Sequence, residues 1–229
     1  MNRFNTLPKY MVAPNGARKD KNDHPNLPST IEEIVNESKN CFLKGANGIH
    51  AHVRDKNGKH VLDSGLYKEL IKELAKNIPQ LPVQITTEAV GIYSPKDQIK
   101  IVKDVMPESA SVALSEMIPN DKDTDLASKF YYWSLENDVH IQHILYSPKD
   151  FLKLAQYIKL KVIPNDNLQV LFVLGRYSLD FESKISDLDP FMMVQKKFFN
   201  NIDWAVCAFG KKETDCLLRA LSKGGKARI

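Results

Sequence analysis

Val83-Gln84-Ile85-Thr86-Thr87 is a short β-rich run, and soon after it Ser94-Pro95-Lys96-Asp97 opens a segment of helical periodicity. Pro95 suits a first helical position, where its missing N–H is not needed. A strand followed by a helix is one βα unit, and whether the chain repeats it decides the fold. Upstream, a strand is expected over Gly48 to Val53 and a helix over about 65 to 77, with Pro79 and Pro82 punctuating the return. Further upstream come Tyr10 to Ala13, a polar loop, and a helix beginning near Ser29-Thr30-Ile31-Glu32-Glu33. Ser29 or Thr30 can cap that helix, and the two glutamates favour its first turn. Downstream the alternation continues with strands over Ser109 to Ala113, Val139 to Leu145, Leu168 to Leu174 and Trp204 to Ala208. Helices follow over Thr124 to Asn137, from Ser147-Pro148-Lys149-Asp150, over Asp189 to Phe199, and over Lys211 to Ser222. Lys226 to Ile229 begins an eighth strand. Seven units and a stub predict a TIM (β/α)8 barrel, truncated at the start of the eighth strand, as a single domain over residues 1–229. An open Rossmann-type sheet uses the same units, but no GxGxxG follows the first strand.

Composition narrows the function classes. The 229 residues are 43% hydrophobic and 26% charged, enough apolar material for a sizeable core. The net charge of +4 is mild and no block of like charges occurs, so neither nucleic acid nor a membrane surface is an expected partner. Three cysteines without a CxxC pair, and an N-terminus without an apolar leader, lead us to expect reduced thiols and a cytoplasmic location. No GxxxxGK[ST] loop and no Gly-x-Ser-x-Gly elbow occurs, which removes support for a P-loop NTPase and a nucleophilic hydrolase. A Schiff-base aldolase would need a strand-end lysine, and none of the second to seventh strands ends in one.

In a barrel, the residues at the C-terminal ends of the strands line the site. The sharpest set is His50-Ala51-His52-Val53-Arg54-Asp55. Alternation puts His50 and His52 on one side of a strand, about 6.6 Å apart along it. Two such imidazoles can share a Zn²⁺ ion, with a carboxylate and water in its other positions, or can simply be polar residues on a half-exposed strand. Arg54 and Asp55 can hold a loop, orient a ligand histidine or form a surface ion pair. Asn15 and Gly16 make a turn with free N–H groups, and Arg18 can meet an anion. Thr86 and Thr87 carry hydroxyls at a strand end, although threonine is also a good strand residue. His140 and His143 have opposite parity in their strand, and His24 and His60 fall in polar loops, so all four are expected to be structural or solvated.

Read together, several blocks resemble the β-keto acid cleavage enzyme family. They are Ala13-Pro14-Asn15-Gly16-Ala17-Arg18, Asp23 to Pro28, Gly48 to Asp55, Gln84 to Gly91, Gln142 to Tyr146, Phe172 to Tyr177 and Trp204 to Gly210. The resemblance implies a zinc enzyme in which a β-keto acid condenses with acetyl-CoA as co-substrate and splits to acetoacetate and a new acyl-CoA. It implies zinc ligation by His50 and His52 and substrate contacts from Asn15, Arg18, Thr86, Thr87 and Ser111. Arg228 falls on the family's catalytic arginine. A homo-oligomer, often a tetramer in the family, is also implied.

Two departures from the family matter. The 3-keto-5-aminohexanoate enzyme has a glutamate where this chain has Arg18, which points to a neutral or anionic keto acid. The family's next block after the arginine, Gly-hydrophobic-Glu-Asp/Asn, brings a third zinc ligand and an acid/base carboxylate, and this sequence ends at Arg228-Ile229. Glu88 and Glu116 are the candidate substitutes for that ligand, and an unclosed barrel edge is expected. The rival readings are an inactive relative of the same fold and an unrelated barrel lyase.

Overall fold

The computed structural model describes residues 2–199 and 201–229. Along the chain run β1 (Tyr10–Val12), α1 (Ile31–Leu43), β2 (Gly48–Ala51), β3 (Val53–Arg54), β4 (His60–Val61) and α2 (Ser64–Asn77). Then follow β5 (Val83–Thr86), α3 (Pro95–Val105), β6 (Ser109–Ala113), α4 (Leu114–Met117), α5 (Thr124–Glu136), β7 (His140–Leu145) and α6 (Pro148–Lys159). The last are β8 (Gln169–Leu174), α7 (Asp189–Phe198), β9 (Asp203–Ala208), α8 (Glu213–Ser222) and β10 (Lys226–Arg228).

Eight of these strands form a closed barrel in the order β1-β10-β9-β8-β7-β6-β5-β2, every pair parallel. The expectation of an unclosed edge is therefore corrected. The short β10 pairs on both sides, with β9 through Lys226↔Ala205 and with β1 through Tyr10↔Ala227. Ile229 N–H donates to the Met11 carbonyl at 2.9 Å, and Ala13 N–H donates to that of Ile229 at 2.7 Å. Three residues suffice because each barrel strand needs only its two ladders of backbone bonds. The turn into β10 requires Gly225, where a Cβ would lie 2.4 Å from the Trp204 ring.

The helices begin where local chemistry dictates. Thr30, not Ser29, caps α1 in a capping box with Glu33. Ser94 and Ser147 cap α3 and α6 ahead of Pro95 and Pro148. Thr30→Ala is expected to cost about 1 kcal/mol, read as a shift in the urea midpoint at unchanged slope.

The outward faces of the strands and the inner faces of the helices form the main core. Ile49, Ala51, Ile85, Val112, Val170, Phe172 and Val206 join it from the strands. Inside the barrel the two halves differ. Strands β8 and β9 contribute Leu171, Val173 and Ala205, which pack with Leu7 of the N-terminal segment. The other half is polar, with His50, Gln84, Ser109, Ser111, Gln142 and Arg228 buried. Barrel interiors are normally filled by bulky branched side chains, so a polar half extends the site down from the mouth.

A candidate active site at the barrel mouth

At the centre of that half, Arg228 is buried. Its Nη2 donates to Gln84 Oε1 at 2.5 Å and to Gln142 Oε1. A guanidinium can only donate, so both amide oxygens must face it. Gln84 therefore turns its nitrogen away, toward Ser109 Oγ at 3.0 Å and Gln142 Oε1 at 3.3 Å. The same Gln84 oxygen lies 3.0 Å from His50 Nδ1. An oxygen that accepts from arginine also accepts here, which fixes the His50 proton on Nδ1 and leaves Nε2 as a bare lone pair. Burial, with the neighbouring Arg228 charge and the His52 ring, holds His50 well below the usual imidazole range, so the ring is neutral.

His52 lies just past the end of β2, its ring centre 5.1 Å from that of His50. The predicted strand to Val53 is thus interrupted at His52, and the chain resumes as a hairpin, β3 paired antiparallel with β4. Asn15 holds the backbone there, donating to the His52 carbonyl at 3.0 Å and accepting its N–H at 3.3 Å. Burial, then His60 and Arg228, push the His52 pKa down as well. Its Nδ1 is buried and has no hydrogen-bond partner.

The expectation that His60 is a solvated loop residue is corrected. His60 is on β4, buried, with its ring centre 5.2 Å from that of His52. Arg54 proves to be a loop holder: it donates to the carbonyls of Gly16, of Lys19 at 2.7 Å and of Gly58 at 2.8 Å. It thereby ties the loop after β1 to the hairpin, while Asp55 accepts from the Asn57 and Lys59 N–H groups within the turn.

The remaining predicted residues come to the same end of the barrel. Thr86 Oγ1 accepts from Glu88 N–H at 3.0 Å, which leaves its own hydrogen free to donate. Thr87 Oγ1 donates to the Ser111 carbonyl at 2.9 Å. Ser111 Oγ and Arg228 Nε are buried without partners. At the rim, Arg18 Nε pairs with Glu88 Oε1 at 3.5 Å. Glu116, on the short α4 that the sequence did not signal, accepts from Ala89 N–H at 3.2 Å and Gln98 Nε2 at 2.8 Å. Burial raises the Glu116 pKa, against these two hydrogen bonds.

Two neutral imidazoles with a fixed tautomer at His50 and an orphaned nitrogen at His52 fit part of a zinc site. Among the described residues no group of three or more His, Cys, Asp or Glu is placed to hold a metal ion. Glu88 and Glu116 thus do not complete the pair as the substitutes considered for it. The interior charge is one-sided: Arg228 has only neutral hydrogen-bond partners, and burial lowers its pKa to about 10. His143 faces the other way, toward Tyr131, with ring centres 5.1 Å apart, and contributes nothing to the mouth.

Such an arrangement defines a TIM barrel whose polar site opens at the C-terminal ends of its strands. Residues 10–229 match the β-keto acid cleavage enzyme family, and the chain belongs to it. A relative, the 3-keto-5-aminohexanoate cleavage enzyme of Acetoanaerobium sticklandii, is 31% identical over 97 residues, 42% of this chain and 35% of that protein. The enzyme of the same name from Fusobacterium nucleatum is 33% identical over 78 residues, 34% of this chain and 29% of that one. The match thus spans about a third of the length of these relatives. Among solved structures, apo ObcA superposes with a TM-score of 0.67 at 15% identity, covering 90% of this chain and 55% of that one. A type I 3-dehydroquinate dehydratase from Clostridium difficile gives 0.63 at 14% identity, covering 98% and 83%. These structural likenesses speak for the barrel alone. No helix among the described residues is long and apolar enough to cross a membrane.

Proposed function

We propose that the protein is a zinc-dependent β-keto acid cleavage enzyme that uses acetyl-CoA as co-substrate. Acetoacetate and a new acyl-CoA are its products. The observation that carries this reading is the buried Arg228 guanidinium, held by two amide oxygens and no carboxylate, in one polar half-barrel with His50 and His52. A cation fixed in a low-dielectric site is prepared for an anion, and it stabilises negative charge developing on a bound oxygen without reorganising.

In this reading His50 Nε2 and His52 hold the metal, and family membership supports the assignment. Zinc would supply Lewis-acid polarisation of the substrate's keto and carboxylate oxygens. Gln84 keeps His50 in the tautomer that leaves Nε2 free. Asn15 fixes the backbone of His52. An uncommitted hydroxyl hydrogen on Thr86 and an unpartnered hydroxyl on Ser111 support their assignment as donors to a substrate carboxylate. Arg18 at the rim disfavours a substrate ammonium, and the Glu88 carboxylate beside it offsets part of that charge. Neutral or anionic β-keto acids are therefore the favoured class.

Metal analysis and chelation test the zinc assignment. The purified protein is expected to carry about one zinc per chain, in line with a single two-imidazole site. Activity should disappear on chelation and return on adding zinc, and His50→Ala and His52→Ala should each lose both metal and turnover. Full activity in metal-free protein would contradict the assignment.

A further inference from the structure

His50 and His52 have their tasks, but a third buried histidine beside them has none. We infer that His60 is a positioning residue, whose Nδ1 accepts the Nδ1–H of His52 and so fixes His52 with Nε2 free for the metal.

A hydrogen bond fixes the His60 tautomer, and metal ligation would fix that of His52. His60 Nε2 lies 3.1 Å from the Glu88 carbonyl oxygen, which can only accept. The carbonyls of Glu88 and Val53 both face the His60 ring, and the resolved bond is the one from Nε2 to Glu88, so His60 carries its proton on Nε2 and its Nδ1 is the acceptor. That Nδ1 is buried without a partner. The Nδ1 of His52 is likewise buried without a partner, and once Nε2 binds a metal, Nδ1 carries the proton and needs an acceptor. The two orphans are complementary, and their rings are neighbours. With ring centres 5.2 Å apart, one nitrogen of each ring comes to hydrogen-bond length when the two are turned toward each other about χ2. Rotation about χ2 is soft for histidine, whereas two buried unsatisfied nitrogens are costly. The resulting chain runs from His52 Nδ1–H to His60 Nδ1 and from His60 Nε2–H to the Glu88 carbonyl. It links the end of β2, the hairpin and the segment after β5. Tyr93 packs edge-on against His60, ring centres 6.2 Å apart, and its hydroxyl accepts Leu62 N–H at 3.3 Å, which holds the hairpin down.

His60 has this role only if His52 holds the metal, so two sets of variants are compared. Zinc affinity is measured by chelator competition on the wild type, His60→Phe, His60→Asn, His50→Ala and His52→Ala. Nitrogen-15 NMR of the metal-free wild type reads the tautomers. His60→Phe keeps an aromatic ring against Tyr93 but has no acceptor, and zinc should bind about 10- to 100-fold more weakly. His60→Asn places an amide oxygen where Nδ1 was and should restore affinity to within a few-fold. The spectra should show His60 protonated on Nε2 and His52 on Nδ1. Wild-type affinity in His60→Phe, or a His60 proton on Nδ1, overturns the role. If His50→Ala and His52→Ala also bind zinc as the wild type does, the metal assignment itself falls. If only the His60 variants are silent, the metal assignment stands and His60 alone is excluded. Should His60→Phe fail to fold, the tautomers of the wild type decide.

Discussion

Arg228→Met is expected to lower kcat/KM by about 10³-fold while leaving the fold as stable as the wild type, or more so. The two halves of this prediction come from one environment. Arg228 is buried, with no carboxylate among its hydrogen-bond partners, so the folded state bears a desolvation cost that is returned only when an anion binds. Methionine of similar length removes that cost. It also leaves few orphans: Gln84 Oε1 keeps the His50 Nδ1–H, and Gln142 Oε1 keeps the Gln84 amide at 3.3 Å. Arg228→Lys should fall between, because an ammonium preserves the charge but not the fixed planar direction in which Nη2 points its two hydrogens at the amide oxygens of Gln84 and Gln142. Steady-state kinetics and urea unfolding on the same preparations check both halves. Retained turnover, or a stability loss of several kcal/mol in Arg228→Met, would show that the guanidinium is a structural strut.

The second large effect is an acid-side loss of stability that begins near pH 6.5, above the carboxylate range. His143 is buried, its Nδ1 has no partner, and burial pushes its pKa down to about 4. The unfolded chain takes up a proton near pH 6.5 and the folded protein does not until about pH 4. Between those values the unfolded state binds more protons, so stability rises with pH and is lost on acidification. At about 1.4 kcal/mol per pH unit, the loss across the window is on the order of 3 kcal/mol. Urea midpoints measured from pH 7 to pH 4 should fall accordingly. In His143→Phe that slope should flatten but not vanish, because burial also lowers the pKa values of His50, His52, His60 and His140. Glu33 acts in a lower window. The Lys21 hydrogen bond, followed by backbone N–H groups, holds its pKa near 2, so its contribution is present above pH 4.5 and is lost as pH falls through about 2. An unchanged midpoint down to pH 5 would mean that His143 is protonated in the fold.

Much of the barrel was legible because its signals are local. The serines ahead of Pro95 and Pro148 start helices where the sequence places them, and short apolar runs become strands within a residue or two. Closure was not legible. Lys226–Arg228 looks like a fragment until its two neighbours are known, and one of those, β1, lies at the other end of the chain. The same holds in the site. His50 and His52 announce themselves by spacing, but His60, between Lys59 and Val61 after a Gly turn, looks solvated, and only the folding of the β3–β4 hairpin over the mouth buries it. Gln84 and Gln142 come from strands 58 residues apart and meet only around Arg228. The one local hint was parity: a glutamine between Val83 and Ile85 in a fully buried strand must face the barrel interior and needs partners there.

The most direct test of the central claim follows the carbon atoms. Acetyl-CoA labelled with carbon-13 in both acetyl carbons is incubated with the zinc-loaded protein and a panel of neutral, anionic and ammonium-bearing β-keto acids. Cleavage joins the acetyl group to the carboxylate-bearing half of the keto acid and passes the remaining acyl group to CoA. The label should therefore appear in the acyl half of acetoacetate and be absent from the new acyl-CoA, with neutral and anionic acids turned over ahead of ammonium-bearing ones. Release of product without acetyl-CoA, or unlabelled acetoacetate, would contradict the assignment, and preference for an ammonium-bearing acid would overturn the role given to Arg18.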